Sequence, residues 1–170
     1  LGLLGTTMLV YSAYHSAALP QHIFIGIVVY SASLMAMLTC SAVFNIMVGF
    51  WRHRLWLLQL ADHAGILLLI AGSYTPFAAR LCYTKLLAFV WSVGMVSFLA
   101  KATKSTWDHV NLHVTCFLLM GWAVSPFLPS LVGFFSHQVS ATIVGGGVVY
   151  TVGLWPWATS RLEFHNAIWH

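Results

Sequence analysis

Residues 22–45 read HIFIGIVVYSASLMAMLTCSAVFN, an apolar block without a single Asp, Glu, Lys or Arg. A bilayer span needs about 20 predominantly apolar residues, so this stretch predicts a membrane-crossing helix. Working outward, similar blocks fall near 1–18, 58–79, 84–101, 109–128 and 138–157, and another begins near 163. The whole 170-residue chain agrees, being 60% apolar and 6% charged, whereas a soluble globular domain carries about 25% charged residues. So few charges cannot cover a water-facing surface, which excludes a freely soluble enzyme or binding module. The reading is an all-α integral membrane protein, a single domain over 1–170. It holds six spans, the first partial, and the start of a seventh, with short loops and no room for an extramembrane domain.

Leu1 opens inside apolar sequence and His170 closes inside a new helix, a pattern expected of a chain truncated at both ends. Residues 1–19 lack the basic n-region and cleavage site of a signal peptide. Polar punctuators separate the spans: Pro20-Gln21-His22, Trp51-Arg52-His53-Arg54, Arg80 to Lys85, Lys101 to Lys104, Ser136-His137-Gln138 and Ser160-Arg161. Trp51, Trp56, Trp107, Trp155, Trp157 and Trp169 fall near segment ends, where an interfacial aromatic belt places them.

Seven basic against three acidic residues give a net charge of +4. The basic residues come in ones and twos, so a nucleic-acid partner is not expected. They serve better as topology marks. Loops after the second, fourth and sixth spans share one side and hold Arg52, Arg54, Lys101, Lys104 and Arg161; the opposite loops hold Arg80 and Lys85. That asymmetry puts the first side in the cytoplasm. Cys40, Cys82 and Cys116 have no CxxC spacing and read as small buried hydrophobes. In the sixth span, Ala141 with Gly145 and Thr142 with Gly146 stand at small-xxx-small spacing, which predicts close helix approach there.

Ionisable groups inside spans are functional candidates by default. Ser41 and Asn45 end the second span, Asp62 opens the third, and Asn166 and His170 open the seventh. Ser41–Asn45 and Asn166–His170 are i,i+4 pairs, so each pair shares a helix face. Three helices thus present polar side chains at one membrane depth, on the side read as cytoplasmic.

These residues also carry a resemblance. Ser41-Ala-Val-Phe-Asn45 resembles the SxxxH motif of the hemolysin III / progestin and adipoQ receptor family. Ala61-Asp62-His63-Ala64-Gly65-Ile66, followed by Gly72-Ser73-Tyr74-Thr75-Pro76-Phe77, resembles that family's third span. Met120-Gly121-Trp122, the run from Gly145 to Gly153, and Ala167-Ile168-Trp169-His170 are similar to its fifth, sixth and seventh spans. The terminal motif places the chain nearest the hemolysin III branch.

The resemblance implies a seven-transmembrane-helix bundle with its amino terminus inside and a zinc ion near the cytoplasmic face. Three histidines, one from SxxxH and two from an HxxxH in the seventh span, would hold the metal, and the third-span Asp would hold its water. A zinc-bound water of lowered pKa could then attack a lipid amide. Here Asn45 and Asn166 stand at two of the three histidine positions, leaving His170 as metal ligand with Asp62 and Ser41 as catalytic residues. An Asn carbonyl is a poor zinc donor beside imidazole and carboxylate. An inactive or altered site is therefore favoured over an intact zinc hydrolase. The alternative is a non-enzymatic receptor-like or membrane-perturbing protein, with membrane lipid as partner and a lipid as substrate or ligand. His165 lies about 140° from the face of His170 on a regular helix. His109 and His113 form a second HxxxH beside Asp108, readable as replacement ligands or as hydrogen-bonded interfacial residues. His63 reads as a satisfied interfacial side chain.

Overall fold

The computed structural model describes residues 2–16, 19–104, 106 and 108–158, and it leaves out the side chains of Arg52 and residues 154–158. Seven α-helices run through the described residues, and no strand occurs among them. They are α1 (Gly2–His15), α2 (Gln21–Met47), α3 (Leu55–Leu81), α4 (Thr84–Ala102), α5 (Val110–Gly121), α6 (Leu128–Phe134) and α7 (His137–Ala158). The chain divides into two compact units, Leu1–Trp107 and Asp108–His170.

In the first unit the helix ends follow the punctuation. Pro20 precedes α2 with φ −58° and ψ 141°, and its carbonyl accepts from the Ile23 and Phe24 amides at 3.0 and 3.1 Å. A proline suits this place because the first helical amides have no partner inside the helix. α2 and α3, at 27 residues each, are about 40 Å long, more than the roughly 30 Å hydrocarbon core requires. α3 ends at Cys82, whose φ of 56° is left-handed and whose amide donates to the Ala78 carbonyl. That conformation reverses the chain into α4 at once.

α2 and α3 meet through glycines. A Cβ on Gly26 would stand 2.9 Å from Pro76 Cα, and one on Gly65 would stand 3.0 Å from Met37 Cα. One on Gly72 would run into the Ser33 hydroxyl. The backbones approach closely where side chains are absent, as small residues permit in lipid. The small-residue pairs of the sixth span do not play this part: space around Gly145 and Gly146 is open among the described residues. Spacing alone marks where helices can approach, and the facing surface decides where they do.

The second unit corrects the extent of the fifth span. The block read as 109–128 is α5, then a tight 3₁₀ turn at Ser125–Phe127, then α6, so the apolar stretch runs from Val110 to Phe134. Pro126 and Pro129 lack the amide that would continue the ladder, so the α-helix stops and restarts. α7 corresponds to the sixth predicted span. The motifs of the fifth and sixth spans pack together: Trp122 Nε1–H donates to Thr151 Oγ1 at 2.9 Å, and that hydroxyl donates to the Gly147 carbonyl at 2.7 Å. Gly121 faces the Tyr150 ring, and a Cβ on Gly147 would come within 3.7 Å of the Trp122 ring.

The helix surfaces match a lipid surround. Phe117, Met120 and Val90 are wholly buried, while Met8, Ile25, Val96, Val149 and Val152 are among many large apolar side chains left exposed. A water-soluble protein does not expose apolar surface on this scale. Four helical stretches are long and apolar enough to cross a bilayer: Gln21–Met47, Leu55–Leu81, Thr84–Ala102 and Val110–Phe134. The predicted seventh span lies outside the described residues.

Candidate functional site

The antiparallel register of α2 and α3 sets the site. With Gly65 against Met37 and Cys40, and Gly72 against Ser33, the helices bring Ser41 and Asp62 to one level. Ser41 is buried and Asp62 half-buried. Cys40, the residue before Ser41, packs against Gly65, less than one helical turn beyond Asp62 on α3. Ser41 on α2 and Asp62 on α3 therefore lie level with each other along the helix pair.

Asn45 completes this part of the cluster differently from an imidazole. Its Nδ2 amide donates to the Ser41 carbonyl at 2.9 Å and reaches the Ser41 hydroxyl at 3.5 Å. Both contacts lie within α2, one turn back. The amide's donors are thus turned toward its own helix, and the residue is otherwise exposed.

Asn166 and His170, with His165, lie outside the described residues, so their convergence on Ser41 and Asp62 is an expectation from the sequence. Among the described residues no group of three or more His, Cys, Asp or Glu side chains is placed to hold a metal ion. Ser41, Asn45 and Asp62 offer one carboxylate and no imidazole. A catalytic zinc takes three protein ligands, drawn from His, Cys and carboxylate, so these three residues by themselves do not fit it.

Two further histidines are engaged elsewhere. His63 is buried, and its Nε2 shares a hydrogen bond of 3.0 Å with Ser97 Oγ on α4. The side chain is satisfied, as expected, and its partner lies across the α3–α4 seam. His113 is buried and donates from Nε2 to Asp108 Oδ1 at 2.8 Å, whereas His109 is exposed at the start of α5. The second HxxxH thus holds one histidine bound to a carboxylate and one facing outward. The packing of Cys40 against Gly65 and the His63–Ser97 bond could not be found from sequence, because neither residue pair has a spacing signal.

Long apolar helices, close glycine contacts and lipid-type surfaces define a multi-pass α-helical membrane protein. The chain matches the family described as haemolysin-III related over residues 1–168, and it belongs to that family. It is 33% identical to Hemolysin-3 of Bacillus cereus over an alignment of 123 residues, covering 67% of this chain and 53% of that protein. Identity to a Hemolysin-3 homolog of Bacillus subtilis (strain 168) is 34% over 123 residues, covering 67% of this chain and 55% of the relative. The chain thus spans about half the length of the curated relatives it matches. No solved structure matches it significantly.

Proposed function

We propose that this chain supplies six spans and the start of a seventh to a seven-helix bundle in the cell membrane, with the Ser41–Asp62 end toward the cytoplasm. Its polar cluster is an altered form of the family's zinc site, which ties helix ends together and suits lipid binding in a receptor-like role rather than metal-dependent hydrolysis of a lipid amide. The observation that carries this reading is Asn45, whose amide is bonded to Ser41 on its own helix where the family pattern calls for a zinc-binding imidazole. The second asparagine, Asn166, removes another imidazole in the sequence. Losing either imidazole also strands the group that would orient it. The cytoplasmic orientation is supported by the five-to-two division of basic residues between the loops.

Zinc content tests the proposal. The purified protein, carrying the whole seventh helix, should hold far less than one zinc per chain. Asn45→His with Asn166→His should bring the content toward one, because the sequence already supplies His170 and Asp62, and either change alone should recover little. Stoichiometric zinc in the unmutated protein would overturn the reading and redirect attention to His109, His113 and His165.

A further inference from the structure

Two contacts mark the register of the antiparallel helices α3 and α4. His63 meets Ser97, and two turns nearer the helix ends the Lys104 ammonium lies 4.5 Å from the centroid of the Trp56 ring. The backbone leaves the helical conformation beside the second contact. Thr103 bonds through its amide to the Leu99 and Lys101 carbonyls, and Lys104 then takes a left-handed φ of 47°. That conformation is disfavoured for any residue with a Cβ. It turns Lys104 back over Trp56 at the end of the unit that also carries Arg54 and Lys101.

We propose that this end of the first unit binds the phosphate of an anionic phospholipid headgroup through Arg54, Lys101 and Lys104, with the Trp56 indole N–H as a further donor. Charge complementarity is the first argument. Arg54 and Lys104 are exposed, and Asp62 is the sole acidic residue in the sequence of residues 1–107, so cations outnumber carboxylates at this end. The second argument is Trp56 itself. Its Nε1 is buried and has no hydrogen-bond acceptor among the described residues, although it sits beside a positioned ammonium. An indole N–H can only donate, so the group it lacks is an acceptor, and an ammonium with a neighbouring N–H is a donor set for a phosphate oxygen. An oxygen reaching Nε1 must displace what covers it, so Trp56 is the part of the site that headgroup binding rearranges. The third argument selects a lipid over a free anion. Phe50 and Trp51, both exposed, stand in the adjoining turn after α2, and exposed aromatic rings mark the depth at which headgroups lie.

Spin-labelled lipids test this in bilayers containing the whole protein. The relative association of phosphatidylglycerol over phosphatidylcholine should exceed one several-fold at low salt and fall at high salt. Neutralising Arg54→Gln, Lys101→Gln and Lys104→Gln together should bring it toward one, each charge contributing up to about fivefold. Arg80→Gln with Lys85→Gln, at the opposite end of α3 and α4, should leave it unchanged. Trp56→Phe keeps the ring and removes the N–H, and should lower the preference by itself, with helicity by circular dichroism showing the fold intact. Lys104→Arg should retain the preference, which separates loss of charge from loss of fold. A preference near one in the unmutated protein, or an equal loss from the opposite-end variant, would overturn the proposal. Displacement of the lipid by millimolar inorganic phosphate would also overturn it, in favour of a soluble anion.

Discussion

His63 and Ser97 share a 3.0 Å hydrogen bond, and both side chains are buried where α3 packs on α4. A polar pair of this kind links two helices that lipid alone would not hold together, since hydrocarbon tails are as apolar as the helix faces. It also sits one residue from Asp62, so the face of α3 that meets α4 is set beside the face that meets α2.

Ser97→Ala removes one partner and keeps the size of a small residue. It should destabilise the protein by about 1 kcal/mol, the scale of a hydrogen bond between membrane helices. His63→Phe should cost more, through both the lost bond and a changed fit, and the two effects should be less than additive. Thermal unfolding in detergent of both single variants and the double variant measures the coupling. Full additivity would show that the pair contributes nothing as a pair.

Glycine substitutions should separate the two candidate seams. Gly26→Ala and Gly65→Ala put a methyl group within 3.0 Å of a neighbouring helix's backbone, at Pro76 and Met37. Backbone cannot rotate aside, so each should cost about 1–3 kcal/mol. Gly145→Ala and Gly146→Ala meet open space among the described residues, and should be neutral or stabilising by up to about 1 kcal/mol through helix propensity. Melting temperatures of the four variants give the comparison.

Cys82 carries a left-handed φ of 56° at the end of α3. Glycine takes this conformation without steric cost. Cys82→Gly should therefore stabilise the protein, by up to about 1 kcal/mol once the greater freedom of glycine in the unfolded chain is offset. A lowered melting temperature would mean that the thiol makes compensating contacts.

Orientation can be read by labelling. With an impermeant thiol reagent applied outside intact cells, a cysteine at residue 53 should be protected and one at residue 82 should react, because the basic loops are retained in the cytoplasm. His53 and Cys82 are both exposed, so burial does not confuse the result. Reversed labelling would place the Ser41–Asp62 end outside.

Much of this protein was legible in one dimension. Hydropathy is a local sum, and an apolar run of about 20 residues has few options in lipid besides a helix. The spans 22–45, 58–79 and 84–101 accordingly appear as α2, α3 and α4 with small shifts at their ends. The polar residues Ser41 and Asp62 were equally visible, because a carboxylate in an apolar span stands out against its neighbours.

What sequence could not supply was the pairing of faces. A membrane helix is apolar all round, so no amphipathic stripe marks the side that meets a partner. The choice rests on steric fit between residues distant in sequence. Hence α2 and α3 close through Gly26, Gly65 and Gly72, while the more conspicuous Gly145 and Gly146 face open space among the described residues. The same holds for Ser41 level with Asp62, His63 bonded to Ser97, and Lys104 turned over Trp56. Each follows from the antiparallel register that close packing selects, and register belongs to the assembled helices rather than to any one of them.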